Sequence, residues 1–220
     1  MIAHCSSAPL QLSFHVLAWS IAIHLLLGTA LAWLLARKRF AGRAVLDALL
    51  SLPLVFPPIV LGYFLLLLLG RQGWLTQSLP PALQPEIVFS QTGLVLASCV
   101  AGLPLFVKPV QAAFAGTPQR LREAAALLGH GPWSVFWRVE LPLARRGLAA
   151  GLVLAGGRSL GEVGLSLMLG GNIAGRTETL SLAIYNHVLD GNHHCANTLS
   201  LVLAALALLA FVILRRWGAL

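Results

Sequence analysis

Charge is what this sequence has least of. Only 10% of its 220 residues are Asp, Glu, Lys or Arg, whereas a water-facing domain carries about 25%. A soluble surface needs those charges, so most of this surface faces something other than water. Cysteine is limited to Cys5, Cys99 and Cys195. Their wide spacing and odd number match neither a zinc site nor a thioredoxin-type pair, and they read as small apolar fillers. Lys and Arg are missing from Met1 to Phe14. A cleavable signal peptide would begin with a basic region, so the first apolar segment is expected to stay, with its N-terminus outside. There is no Gly-x4-Gly-Lys-Ser/Thr run, so the chain is not expected to hydrolyse ATP by itself. No long soluble segment, low-complexity tract or internal repeat is present, and the length suits one domain, 1–220.

What is abundant is apolar. Hydrophobic residues make up 58% of the chain and the mean hydropathy is +0.83. Five stretches are long enough to span a bilayer, which takes about 20 helical residues: Leu12 to Ala36, Val45 to Leu69, Val88 to Phe114, Gly147 to Leu169, and Leu199 to Leu214. Backbone polar groups cannot stay unpaired in lipid, so these must be helices. The predicted fold class is therefore all-α, a polytopic transmembrane helical bundle.

The formal net charge of +8 invites a nucleic-acid reading, but its placement excludes one. Arg37, Lys38, Arg39 and Arg43 follow the first span. Lys108, Arg120, Arg122, Arg138, Arg145 and Arg146 lie around the loop between the third and fourth. Arg215 and Arg216 follow the fifth. With the N-terminus outside, all fall on the cytoplasmic side, as the positive-inside rule requires; only Arg71, Arg158 and Arg176 do not. Nucleic acid is thus not a predicted partner, and the lipid bilayer is.

The second span carries Pro53, Pro57 and Pro58. Each removes a backbone donor and disfavours a regular helix. Irregular backbone inside a membrane is tolerated only where it is buried in protein or lines a cavity. Two readings stand: plainly kinked helices, or a translocation path at the breaks. Arg158 and Glu162 share a face of the fourth span and read either as a self-neutralising pair or as an anion-handling pair. Ser159 and Ser166 add neutral polar groups nearby. Asn172, Arg176 and Thr177 sit in a Gly-rich stretch, either an ordinary outer turn or donors to an oxyanion. His187, His193, His194 and Cys195 have the right types for a metal but no standard spacing; a solvated loop is expected there, and no metal or cofactor.

The segment 117–142 is the longest loop on the basic side. Thr117 suits an N-cap and Pro118 a first helical position. Leu121, Ala124, Ala125 and Leu128 fall on one helical face, and Gly129 is placed to end the helix. A second short helix is expected from Trp133 to about Val139. Spacing alone leaves open a hairpin lying on lipid or one docking on a partner.

Specific residues favour docking. Glu123-Ala124-Ala125, then Gly129, Val139 and Leu141-Pro142 resemble the EAA motif of ABC importer permeases, with Val139 where isoleucine is usual. The run Leu52 to Tyr63, the segment Ser159-Leu160-Gly161-Glu162-Val163-Gly164 and the segment Gly171 to Thr177 resemble the molybdate permease subunits of that family, with sulfate permeases as near relatives. In that subfamily Val163 is usually Phe and Ala174 usually Pro. The resemblance implies a MetI-like fold in the cytoplasmic membrane. It implies a second permease copy, cytoplasmic ABC ATPase subunits and an extracytoplasmic molybdate-binding protein as partners. It implies that 117–142 is the ATPase-coupling hairpin and that the chain is non-catalytic by itself. Tungstate or sulfate are the alternative cargoes. An independent ion-coupled carrier, which would usually show repeats, is the rival from another class.

Overall fold

The computed structural model describes residues 7–71, 73–78 and 86–216. Cys5 and the outer-loop residues 79–84 lie outside the described residues. Helix α1 runs Ala8–Arg37, starting before Leu12 because Pro9 fits the first turn. The expected second span is two helices, α2 (Arg43–Val55) and α3 (Pro58–Leu69). Pro53 is accommodated inside α2, but Pro57 has φ −56° and ψ 132° and stops the helix. Helix α4 (Gln91–Ala115) begins where the Ser90 hydroxyl accepts from the Gly93 amide, and it carries Pro104 and Pro109 without breaking.

Helix α5 (Gln119–Leu127) opens the basic-side loop. The fourth span is α6 (Arg145–Leu160) followed by α7 (Gly164–Gly170), bent by 61° at the break. A shorter helix, α8 (Leu180–Leu189), precedes α9 (His193–Arg216). Among the described residues four helices are long and apolar enough to cross a membrane, and the bent pair α6–α7 makes a fifth span.

Two expectations are corrected at the start of α9. His193, His194 and Cys195 lie in its first turn, not in a loop, because Asn192 Oδ1 accepts from the Cys195 amide. Cys195 is disulfide-bonded and is no mere filler, whereas Cys99 is free and buried. Cysteine spacing could not distinguish these roles.

Helix α4 is the axis of the molecule and shares its largest interface with α6. Close approach follows from small residues: a Cβ at Gly147 would stand 2.5 Å from the Ala113 Cβ, and one at Gly151 would stand 2.9 Å from the Phe106 carbonyl oxygen. Phe106, Val107, Val110 and Phe114 fill the centre with Leu35 and Ala155. Ala97 and Ala101 join α4 to Leu165 and Leu169 of α7. By contrast α3 and α9 leave most of their apolar surface uncovered, as helices do that meet lipid or another subunit.

A polar thread crosses this core. His24, at a π-turn spanning His24–Gly28, donates from Nε2 to the Cys99 carbonyl at 3.1 Å, which leaves Nδ1 to accept from Ser20 at 3.3 Å. Ser159 donates to the Ser98 carbonyl at 3.1 Å and lies 3.3 Å from Ser20 Oγ. Buried polar groups need such partners, and these tie α1, α4 and α6 into one body.

Candidate coupling hairpin and translocation path

Pro118, not Thr117, is the N-cap of α5. Pro118 takes an extended ψ of 132°, so the Thr117 hydroxyl turns back to the Ala113 carbonyl. Gly129 ends the helix with φ +81°, a conformation that costs an L-residue roughly 1–2 kcal/mol. The amides of Gly129 and His130 bond to the Ala126 and Ala125 carbonyls, closing the helix end. The chain returns through Pro132–Val135 and a π-turn, Phe136–Glu140, before Leu141 and Pro142 lead into α6. The shift into π geometry was not anticipated by the predicted helix from Trp133 to Val139.

Only Ala125 of the α5 face is buried. Glu123 is exposed and accepts from the Gln119 amide at 2.6 Å, and Ala124 is open. Leu127 and Leu128 are 89% and 78% exposed. Two leucines this bare at the tip of a hairpin leave an apolar face unpartnered in the single chain.

The base of the hairpin holds a residue that sequence reading missed. Glu140 is only 3% exposed. Its carboxylate accepts from the Trp33 indole at 2.6 Å and pairs with Arg37 Nε at 2.7 Å, with Arg122 Nε at 3.8 Å. Arg122 belongs to α5, while Trp33 and Arg37 belong to α1. One carboxylate thus ties the hairpin to the first span. The available signal was a lone acid in a basic run, Arg138-Val139-Glu140 before Arg145-Arg146.

The two backbone breaks meet. A Cβ at Gly164 would lie 3.0 Å from the Ile59 amide nitrogen and 3.1 Å from the Pro58 Cβ, so the start of α7 abuts the start of α3. Pro57 is exposed, Pro53 and Pro58 partly so. At the same junction Arg158 Nη1 pairs with Glu162 Oε2 at 2.6 Å. Glu162 is 1% exposed, and its Oε1 accepts from the Leu165 amide at 2.7 Å, capping α7. The guanidinium side of the pair remains partly open. Ser159 and Ser166 are buried within the chain.

On the opposite end from the hairpin, Asn172 exchanges hydrogen bonds with Asn186, which also donates to Glu178. Thr177 is buried, donating to the Gly170 carbonyl at 2.6 Å and accepting from the Ile173 amide at 2.9 Å. These two shape the loop. Arg176 is exposed and, with Arg71 and Glu86, lines an open cavity of about 470 Å³. Cys195 leaves the His193–His194–Cys195 cluster without a free thiol, and no metal-competent cluster occurs among the described residues.

The chain matches a family model described as binding-protein-dependent transport system inner membrane component, over residues 25–219. It is 39% identical over 203 residues to the molybdenum transport system permease protein ModB of Escherichia coli K12, covering 92% of this chain and 89% of that one. It is 33% identical over 206 residues to the sulfate transport system permease protein CysW of Synechocystis, covering 94% and 74%. Its fold is similar to a chain in the crystal structure of a bacterial alginate ABC transporter in complex with an alginate pentasaccharide-bound periplasmic protein, with TM-score 0.72, 18% identity and coverage of 94% and 76%.

Proposed function

The chain belongs to the inner membrane components of binding-protein-dependent transport systems, and from that membership we propose that it is the permease subunit of a molybdate importer. The observation that carries the coupling role is the hairpin: its tip presents Glu123, Ala124, Leu127 and Leu128 with nothing over them. A cytoplasmic ABC ATPase subunit would bind there, seating α5 in a groove. Glu123 would meet a basic residue, and Ala124 would allow close approach. A second permease copy would pair across the exposed breaks, and an extracytoplasmic binding protein would deliver the anion to the opposite end. ATPase closure would move the hairpin, and through Glu140 the first span, so that the two halves rock about a central site.

The path is placed at the junction of α3 with α7, lined by Pro53, Pro57 and Pro58 and by the fourth span around Arg158. Irregular backbone must face protein or water, and both breaks lie here. Arg158 faces the opening, and Glu162 behind it keeps that charge from becoming a trap. Arg176, with Arg71, would steer an anion at the entrance. Ser159, Asn172 and Thr177 take supporting places, because their hydrogen bonds set the walls, and Ser166 is buried within the chain.

Molybdate is the preferred cargo because identity to the molybdenum permease exceeds identity to the sulfate permease over comparable lengths. The test is uptake in a strain lacking this gene. Loss of molybdate uptake at scarce molybdate, restored by excess, is expected. Normal molybdate uptake with sulfate starvation would move the assignment to sulfate.

A further inference from the structure

A cavity larger than the one beside Arg176 lies away from the path. A groove of about 790 Å³ runs between α1 and the return arm of the hairpin, lined by Leu26, Ala30, Trp33, Trp133, Phe136 and Trp137 among others. Its wall on α1 extends from Leu25 to Leu34. At 1.5 Å per residue that is roughly 14 Å, close to the ~15 Å hydrocarbon depth of one leaflet. Leu26 is 74% exposed and Trp133 72%, so the groove opens sideways toward the bilayer. Three indoles sit at its hairpin end, the position interfacial tryptophans take between hydrocarbon and headgroups.

The chemistry at that end is cationic. Lys38 Nζ stands 5.8 Å from the centroid of the Trp33 ring that lines the groove. Arg39 follows it, and Arg138 follows Trp137; all three cations are exposed. None of them is in an ion pair among the described residues. Glu140, the carboxylate that accepts from Trp33, is buried and already engaged with Arg37. An apolar slot one leaflet deep beneath unpaired cations fits a molecule with an acyl chain and an anionic head.

We propose that this groove binds an anionic phospholipid of the cytoplasmic leaflet, with one acyl chain between α1 and the hairpin and the headgroup phosphate at Lys38, Arg39 and Arg138. The inference takes from the reading above only that the hairpin end faces the cytoplasm. The bound lipid wedges the return arm against the first span, next to the Glu140 cluster, so the membrane's anionic lipid content sets how firmly hairpin and span move together.

The test uses the permease assembled with its ATPase partner. It is equilibrated in bilayer discs of equal parts phosphatidylcholine and phosphatidylglycerol, and native mass spectrometry then measures the lipid it retains. Phosphatidylglycerol is expected to stay bound in preference to phosphatidylcholine. Ala30→Trp fills the slot and is expected to abolish the retention. Lys38→Gln should weaken it about fivefold, the effect of one juxtamembrane cation on an anionic surface. Leu208→Trp, on an exposed position of α9, should leave it unchanged. Equal retention of both lipids, or undiminished retention in Ala30→Trp, overturns the proposal. So does efficient disulfide cross-linking of Ala30→Cys between two copies, which would make the groove a subunit interface. Any of these outcomes, with the C-terminus shown to be cytoplasmic, refutes the lipid site and leaves the transporter reading standing.

Discussion

The indole of Trp33 donates to Glu140 across 107 residues of sequence at 2.6 Å, and this contact joins the first span to the 117–142 hairpin. Arg37 pairs with the same carboxylate at 2.7 Å. Removing one partner of a buried pair costs about 3–5 kcal/mol. Glu140→Gln keeps an acceptor for the indole but leaves Arg37 without its counter-ion. The variant is expected to lose several degrees of thermal stability in detergent. Arg71→Gln, which breaks an ion pair between side chains 89% and 75% exposed, should lose nothing measurable. Equal shifts for the two variants would remove Glu140 from its structural role.

Coupling is tested at the hairpin tip. Glu123→Lys is expected to insert normally and to lose ATPase docking, seen as loss of co-purification and of substrate-stimulated hydrolysis. Gly129→Leu forces φ +81° on a branched residue, a strain of roughly 1–2 kcal/mol, and should uncouple as well. Wild-type transport by both variants would show that this hairpin is not the docking element.

Arg158 and Glu162 make a separable prediction. Arg158→Ala strands a carboxylate that is 1% exposed, at a cost of about 3–5 kcal/mol. Arg158→Ala combined with Glu162→Gln should be milder than Arg158→Ala alone, in stability and in uptake. Because Glu162 also caps α7, Glu162→Ala should be worse than Glu162→Gln by about 1 kcal/mol. A double variant as defective as the sum of the singles would mean that the two residues act independently.

Topology gives a fourth. Disulfides persist on the oxidising side of a membrane, and Cys195 is disulfide-bonded at the start of α9. That end of the helix is therefore expected outside and its far end in the cytoplasm. A reporter fused after Trp217 should be active only as a cytoplasmic fusion. External activity would invert the arrangement.

The spans were legible because lipid imposes one rule on a long apolar run, and because prolines announce their breaks: Pro57 stops a helix where it stands. Gly129 was legible because a chain reversal calls for a positive φ. The Glu140 cluster was not, since nothing local links Trp33 or Arg37 to a carboxylate more than a hundred residues on. His24 was overlooked for a related reason: in an apolar run it resembles an isolated imidazole, and its partners, Ser20 apart, lie on another span. The meeting of Pro58 with Gly164 likewise needed the fold, although each break was visible alone. At Cys195 the wide spacing that argued for a filler was a property of the sequence, not of the distance in space.

On the proposed function this chain is a passive path driven by a partner ATPase. The direct measurement is reconstitution of the permease with its ATPase subunits and binding protein in vesicles, following labelled molybdate. Uptake should require ATP on the hairpin side and all three components, and should vanish with Glu123→Lys. Molybdate uptake by the permease alone, driven by an ion gradient without ATP, would contradict the account.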